Sequence, residues 1–119
     1  MSKRTYHPER GDIIHINFAP SAGREFTGPH YGLVISPGRF NRQTGLVICL
    51  PTTTKFHDTN LQVELPEMPQ LKQRGWVWIH QIKTLDYRER AATFVCKLKT
   101  DFVIEVMERT RLLIDPATE

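Results

Sequence analysis

The stretch Gly11–Ser36, GDIIHINFAPSAGREFTGPHYGLVIS, decides the fold. Its two ends read as β-strands. In the first, at about Asp12 to Phe18, Ile14, Ile16 and Phe18 share one face and Ile13, His15 and Asn17 the other. The second, Tyr31 to Ser36, is a half-apolar run. Between them APSAGREFTGP has proline, serine, two glycines and no apolar period, so it reads as a long loop. That loop packs Arg24, Glu25 and His30 into the residues just before a strand, where ionisable groups serve chemistry better than packing.

The same punctuation continues outward. PGRFNRQTG is a turn or a single helical turn closed by Gly45, and LVICLP after it is apolar on both faces, hence central or covered by a helix. TTTKFHDTN is a polar loop, LQVEL a short alternating strand, and PEMPQLKQRG a loop whose two prolines prevent regular pairing. Gly75–Ile82, GWVWIHQI, alternates with Val77 and Ile79 on one face and Trp76, Trp78 and His80 on the other. DYRER is a turn and ATFVCKLK a last strand. Asp101 to Ile114 reads as one amphipathic helix after a Thr100 N-cap. Its apolar face carries Phe102, Val103, Val106, Met107, Leu113 and Ile114, with Glu105 and Arg109 paired on the solvated side. About six strands and a terminal helix make a mainly β (α+β) chain: a small, strongly bent antiparallel barrel with a helix against it.

A chain of 119 residues with no repeats or linkers is expected to form one domain, with residues 1–9 a flexible N-terminal extension. No apolar run approaches the ~18 residues of a membrane helix. The start, MSKRTYHPERGD, lacks the apolar core of a signal peptide, so a cytoplasmic protein is expected. Cys49 and Cys96 lie in apolar runs without CxxC spacing and read as buried thiols. No Asp/Glu/His cluster has metal-ligand spacing, and no metal or other cofactor is expected. The net charge of +3 suits a polyanionic partner.

At this point the motifs carry a resemblance. G-D-I opens the first strand, followed by F-x-P-x-x-G-x-E, a strand ending V-x-S-P, F-N-x-x-T-G, and a strand closing on P-x-T-T. The second half adds Q-x-K-T-x-D-x-R-x-R and the terminal helix. Over about residues 10 to 114 this ordered series resembles the MazF/PemK (Kid) toxins of bacterial toxin–antitoxin systems. The resemblance implies an SH3-like barrel, a homodimer, and a metal-independent, sequence-specific endoribonuclease (an mRNA interferase) that cuts single-stranded RNA and is held inactive by a cognate acidic antitoxin. It places the family's catalytic threonine on Thr53 and its glutamate on Glu25. The chain departs at His30-Tyr31, where relatives usually carry Arg-Pro with a catalytic arginine, and at Trp78 and His80, where some carry an arginine and an aspartate.

The residues present suit the chemistry. Metal-free RNA cleavage turns the 2′-OH on the adjacent phosphate, and needs a base, an acid for the 5′ oxygen, and donors on the phosphate. His30 and His80 are candidate proton carriers, since imidazole titrates near neutrality. Arg24 can grip two phosphate oxygens, Thr53 can donate a hydrogen bond, and Glu25 can orient His30 or act as base. Thr54, Lys55, Trp78, His80 and Gln81 are candidate RNA-binding residues. Exposed aromatics stack on bases at about 1–3 kcal/mol each, which makes Trp78 a substrate contact or a dimer-interface residue, while Trp76 is expected to pack. His7, His15 and His57 read as ordinary surface residues. Two other classes stay open: a catalytically degenerate toxin-like binder of RNA or antitoxin, and a gyrase-binding toxin of the same fold. The latter depends on a tryptophan near the C-terminus, and this chain ends LLIDPATE.

Overall fold

In the computed structural model, which describes residues 5–117, seven strands and two helices follow one another along the chain. They are β1 (Asp12–Asn17), β2 (Pro29–Val34), α1 (Gly38–Thr44), β3 (Leu46–Thr53), β4 (Gln62–Glu64), β5 (Trp76–Trp78), β6 (Lys83–Asp86), β7 (Thr93–Lys97) and α2 (Thr100–Ile114). All pairings are antiparallel, in the order β4-β5-β3-β2-β1-β7 with β6 also on β3. β3 is the hub. One edge holds β2; the other holds β6 opposite Leu46–Cys49 and β5 opposite Thr52–Thr53.

The curled sheet is buried on both sides. Ile14, Ile16 and Phe18 point into one cluster with Val34, Val47, Cys49, Leu85 and Tyr87. Ile13, on the opposite side of β1, joins Leu33, Leu50, Val77, Ile79 and the α2 residues Val103 and Val106. Both faces of β3 are thus consumed, as the two-sided apolarity of LVICLP requires, while β1 is covered on its second face only at Ile13 and leaves His15 and Asn17 exposed. α1 ends where Gly45 takes φ +75°, a left-handed cap that glycine accepts without strain.

Five expectations change. The Gly75–Ile82 strand stops at Trp78 and the chain re-enters the sheet as a separate β6, β5 pairing only with Thr52–Thr53 of β3 and β6 with Leu46–Cys49. α2 begins at Thr100 itself; Lys99 occupies the N-cap position and no side chain caps it. Leu113 and Ile114 lie on the exposed end of α2, beyond the sheet, and Thr110 closes the contact by donating to Ile79 O at 3.2 Å. Of the expected N-terminal extension, residues 1–4 lie outside the described residues. The rest packs: Pro8 is fully buried, Tyr6 donates to Asp12 Oδ2 at 2.6 Å, and His7 Nδ1 lies 2.8 Å from Tyr87 Oη. His7 is therefore a half-buried partner of the core and not a surface residue. Asp12, buried at 3% exposure, also takes Glu9 N at 2.9 Å and has Lys97 Nζ 3.2 Å from Oδ1, off hydrogen-bond alignment. Burial works to lower the Lys97 pKa, but the Asp12 and Glu9 carboxylates outweigh it and raise it. Cys49 and Cys96 are free and buried, and burial pushes the Cys49 thiol up to about 12.

Candidate functional site

Where β2 starts and β3 ends, the sheet opens into a cleft of about 700 Å³. β2 leaves the core over its first three residues, so Pro29, His30 and Tyr31 are exposed while Gly32–Val34 are buried. Opposite them stand Thr52 and Thr53 of β3, then Thr54 and Lys55; Gln70–Gln73, from the loop between β4 and β5, form the far wall. Among the fifteen lining residues there is no carboxylate; the charged ones are Lys55 and Lys72, and two imidazoles, His15 and His30, are also present. Low-acid concave surfaces of this kind concentrate anions.

The local contacts orient these groups. The His30 ring lies 4.4 Å from Phe26, which itself meets Phe18 edge-on at 5.7 Å. Thr53 Oγ1 accepts from Lys55 N at 3.1 Å, which leaves its own proton free to donate. Gln62, buried in β4, holds the Lys55 segment from both ends of its amide: Nε2 donates to Lys55 O at 3.1 Å and Oε1 accepts from His57 N at 2.9 Å. His15 meets Tyr31 edge-on at 5.9 Å, its cross-strand neighbour in the register.

Of the residues picked from the sequence, His30, Thr53, Thr54 and Lys55 line this one cleft; Arg24, Glu25, Trp78, His80 and Gln81 do not. Arg24 is exposed on the β1–β2 loop and its guanidinium makes no hydrogen bond among the described residues. Glu25 Oε1 accepts from Ala22 N at 2.7 Å, closing a turn within that loop; no hydrogen bond joins it to His30. Trp78 sits between two imidazoles, 5.0 Å from His57 and 5.4 Å from His80, so His57 belongs to an aromatic row. Trp76 is buried under Phe56 at 5.5 Å, with Arg74 5.3 Å above its ring. Gln81 spends its amide on the β1–β2 loop backbone. His15, Tyr31 and Lys72 were not picked. They reach the cleft only through sheet register and loop closure, which strand alternation does not reveal.

Fold and cleft together define a small β-barrel protein with an open face whose lining holds no carboxylate. The sequence matches the family described as PemK-like, MazF-like toxin of type II toxin-antitoxin system over residues 9–114, and the chain belongs to that family. It is 33% identical over 88 residues to the endoribonuclease toxin MazF of Escherichia coli strain K12, covering 74% of this chain and 77% of that protein. The crystal structure of MazF from Deinococcus radiodurans superposes with a TM-score of 0.86 at 32% identity, covering 92% of this chain and 98% of that one. A chain from the MazE–MazF crystal structure of the same organism gives 0.78 at 31% identity, covering 92% and 97%.

Proposed function

We infer that this protein is the toxin of a type II toxin–antitoxin pair and an endoribonuclease that cuts single-stranded RNA without a metal. The observation that carries the reading is the acid-free cleft, which sets His30 and Thr53 beside two lysines in a chain of this family. In the proposed reaction His30 takes the 2′-OH proton and the 2′ oxygen attacks the adjacent phosphorus. The bond to the 5′ oxygen breaks, and that oxygen leaves with a proton from a second acid. Thr53 and Lys55 donate to the non-bridging oxygens as charge builds, and Arg24 closes over them from the lip. The products are a 2′,3′-cyclic phosphate and a 5′-OH.

The partner follows from the same charge pattern: an acidic antitoxin segment laid along the cleft displaces RNA as a polyanion. Exposed Ile104, Leu112, Leu113 and Ile114 along α2 support a homodimer, and a cytoplasmic location fits an RNA substrate. No helix among the described residues is long and apolar enough to cross a membrane.

Incubating the purified protein with a long RNA in EDTA tests the reading. Fragments ending in a 2′,3′-cyclic phosphate are expected. Cleavage only after Mg²⁺ is added, or binding without cleavage in either condition, overturns it.

A further inference from the structure

The motif Q-I-K-T-L-D-Y-R-E-R, Gln81 to Arg90, contributes no side chain to the cleft. Three of its polar side chains turn instead to the end of β1 and the loop that follows it, mostly to backbone oxygens. Gln81 Nε2 donates to Arg24 O at 3.1 Å and Gln81 Oε1 accepts from Phe26 N at 3.3 Å. The two bonds straddle Glu25, as a neighbouring strand would. The reversed amide would set oxygen against carbonyl oxygen and NH₂ against N–H, so the backbone itself fixes this orientation. Lys83 Nζ donates to Ser21 Oγ at 3.0 Å and Phe18 O at 3.4 Å. Arg90 Nη1 donates to Asn17 O at 2.7 Å and, more closely, to Ala19 O.

The loop's own bonds gather at its base and its first turn: Phe18 N donates to Gly28 O at 2.8 Å, Glu25 N to Ala22 O at 3.1 Å, Ala22 N to Glu25 Oε1 at 2.7 Å, and Ser21 Oγ to Phe18 O at 2.8 Å and Phe26 O at 2.9 Å. None of them holds Arg24 O or Phe26 N, so at the exposed Arg24–Phe26 stretch those two backbone groups are tied from outside the loop, by Gln81. What it carries matters: Phe26, tied at its N–H by Gln81, packs its ring on His30.

We propose that Gln81 is a positioning residue, clamping the Arg24–Phe26 lip so that Phe26 fixes the imidazole of His30, with Lys83 and Arg90 holding the loop's base. This assignment rests on the reading of His30 as part of the catalytic cleft. It takes Gln81 out of direct RNA contact.

The test uses Gln81→Met, which keeps length and volume but removes both bonds, and Gln81→Glu, which keeps the acceptor for Phe26 N but sets a carboxylate against Arg24 O. Two readouts are taken on folded protein, with thermal unfolding as the check. Native-state trypsin cutting after Arg24, mapped by mass spectrometry, should speed up about tenfold in Gln81→Met, the weight of two modest hydrogen bonds. Single-turnover cleavage at saturating RNA should fall about 10²-fold, while Kd for an RNA blocked by a 2′-deoxy group stays within about twofold. Gln81→Glu should fall between wild type and Gln81→Met on both. Unchanged trypsin cutting in both variants overturns the clamp. So does a raised Kd with an unchanged saturated rate, which makes Gln81 an RNA contact. A wild type that cuts no RNA defeats the functional reading alone, because the trypsin result still decides whether Gln81 holds the loop.

Discussion

His30 is the imidazole at the mouth of the cleft. It sits on an exposed strand start with its ring against Phe26, in a cleft that already holds two lysines. Another fixed cation would add little there, whereas a group that can accept a proton would. We therefore expect His30→Ala to lower single-turnover cleavage by about two to four orders of magnitude, the usual worth of a general acid or base, with RNA binding nearly unchanged. His30→Arg should fall almost as far, since a guanidinium stays protonated and cannot take the 2′-OH proton. Rates of all three proteins across about pH 5 to 9 decide it. A His30→Arg variant that keeps or raises the rate makes the position a phosphate-binding cation.

At the scale of elements, α2 is a helix half committed to the sheet. Val103, Val106 and Thr110 are buried along one line, while Ile104, one position off it, is 61% exposed. Val106→Ala should cost about 2 kcal/mol in chemical unfolding, from lost apolar burial and the cavity left behind. Ile104→Ala should stay within about 0.5 kcal/mol in the monomer. Equal losses would mean the helix packs by a different face. Most of these elements were legible from apolar patterning, because β1 alternates Ile14 and Ile16 with the exposed His15 and Asn17, β3 spends both faces on apolar clusters, and α1 announces its end with Gly45. β6 was not, since Lys83, Thr84, Leu85 and Asp86 hold one buried apolar residue and owe their strand to the free edge of β3. Leu113 and Ile114 misled for a related reason: helical spacing marks a face, but not how far the sheet beneath it extends. The cleft divides in the same way. His30, Thr53 and Lys55 stand in motifs, while His15 and Lys72 arrive from β1 and the β4–β5 loop only when the sheet curls.

Over the whole molecule, a net charge of +3 says less than where the carboxylates are. Glu64 is tied to Arg74, Glu105 to Arg109, Glu108 to Arg111, and Glu9 and Asp12 to Lys97. Hydrogen bonding to Arg74 holds Glu64 below the usual carboxylate range, and Arg111 does the same for Glu108. The exposed pairs among these, all but Asp12–Lys97, contribute little stability, but each cancels its partner's field. None of them uses Arg24, Lys55 or Lys72, so these three cations stand at the cleft and its lip outside any of these ion pairs. Each such cation that meets a phosphate releases a counterion, at about 0.7 in the log–log salt slope for a single strand. Three contacts give an expected slope of about −2 for binding of a non-cleavable single-stranded RNA. Lys72→Gln should flatten the slope by about 0.7 and weaken binding similarly for every sequence. Arg74→Gln, two residues away but neutralised by Glu64, should leave the slope where it was. If Arg74→Gln flattens the slope as much as Lys72→Gln, or neither does, the RNA runs over a surface other than this cleft.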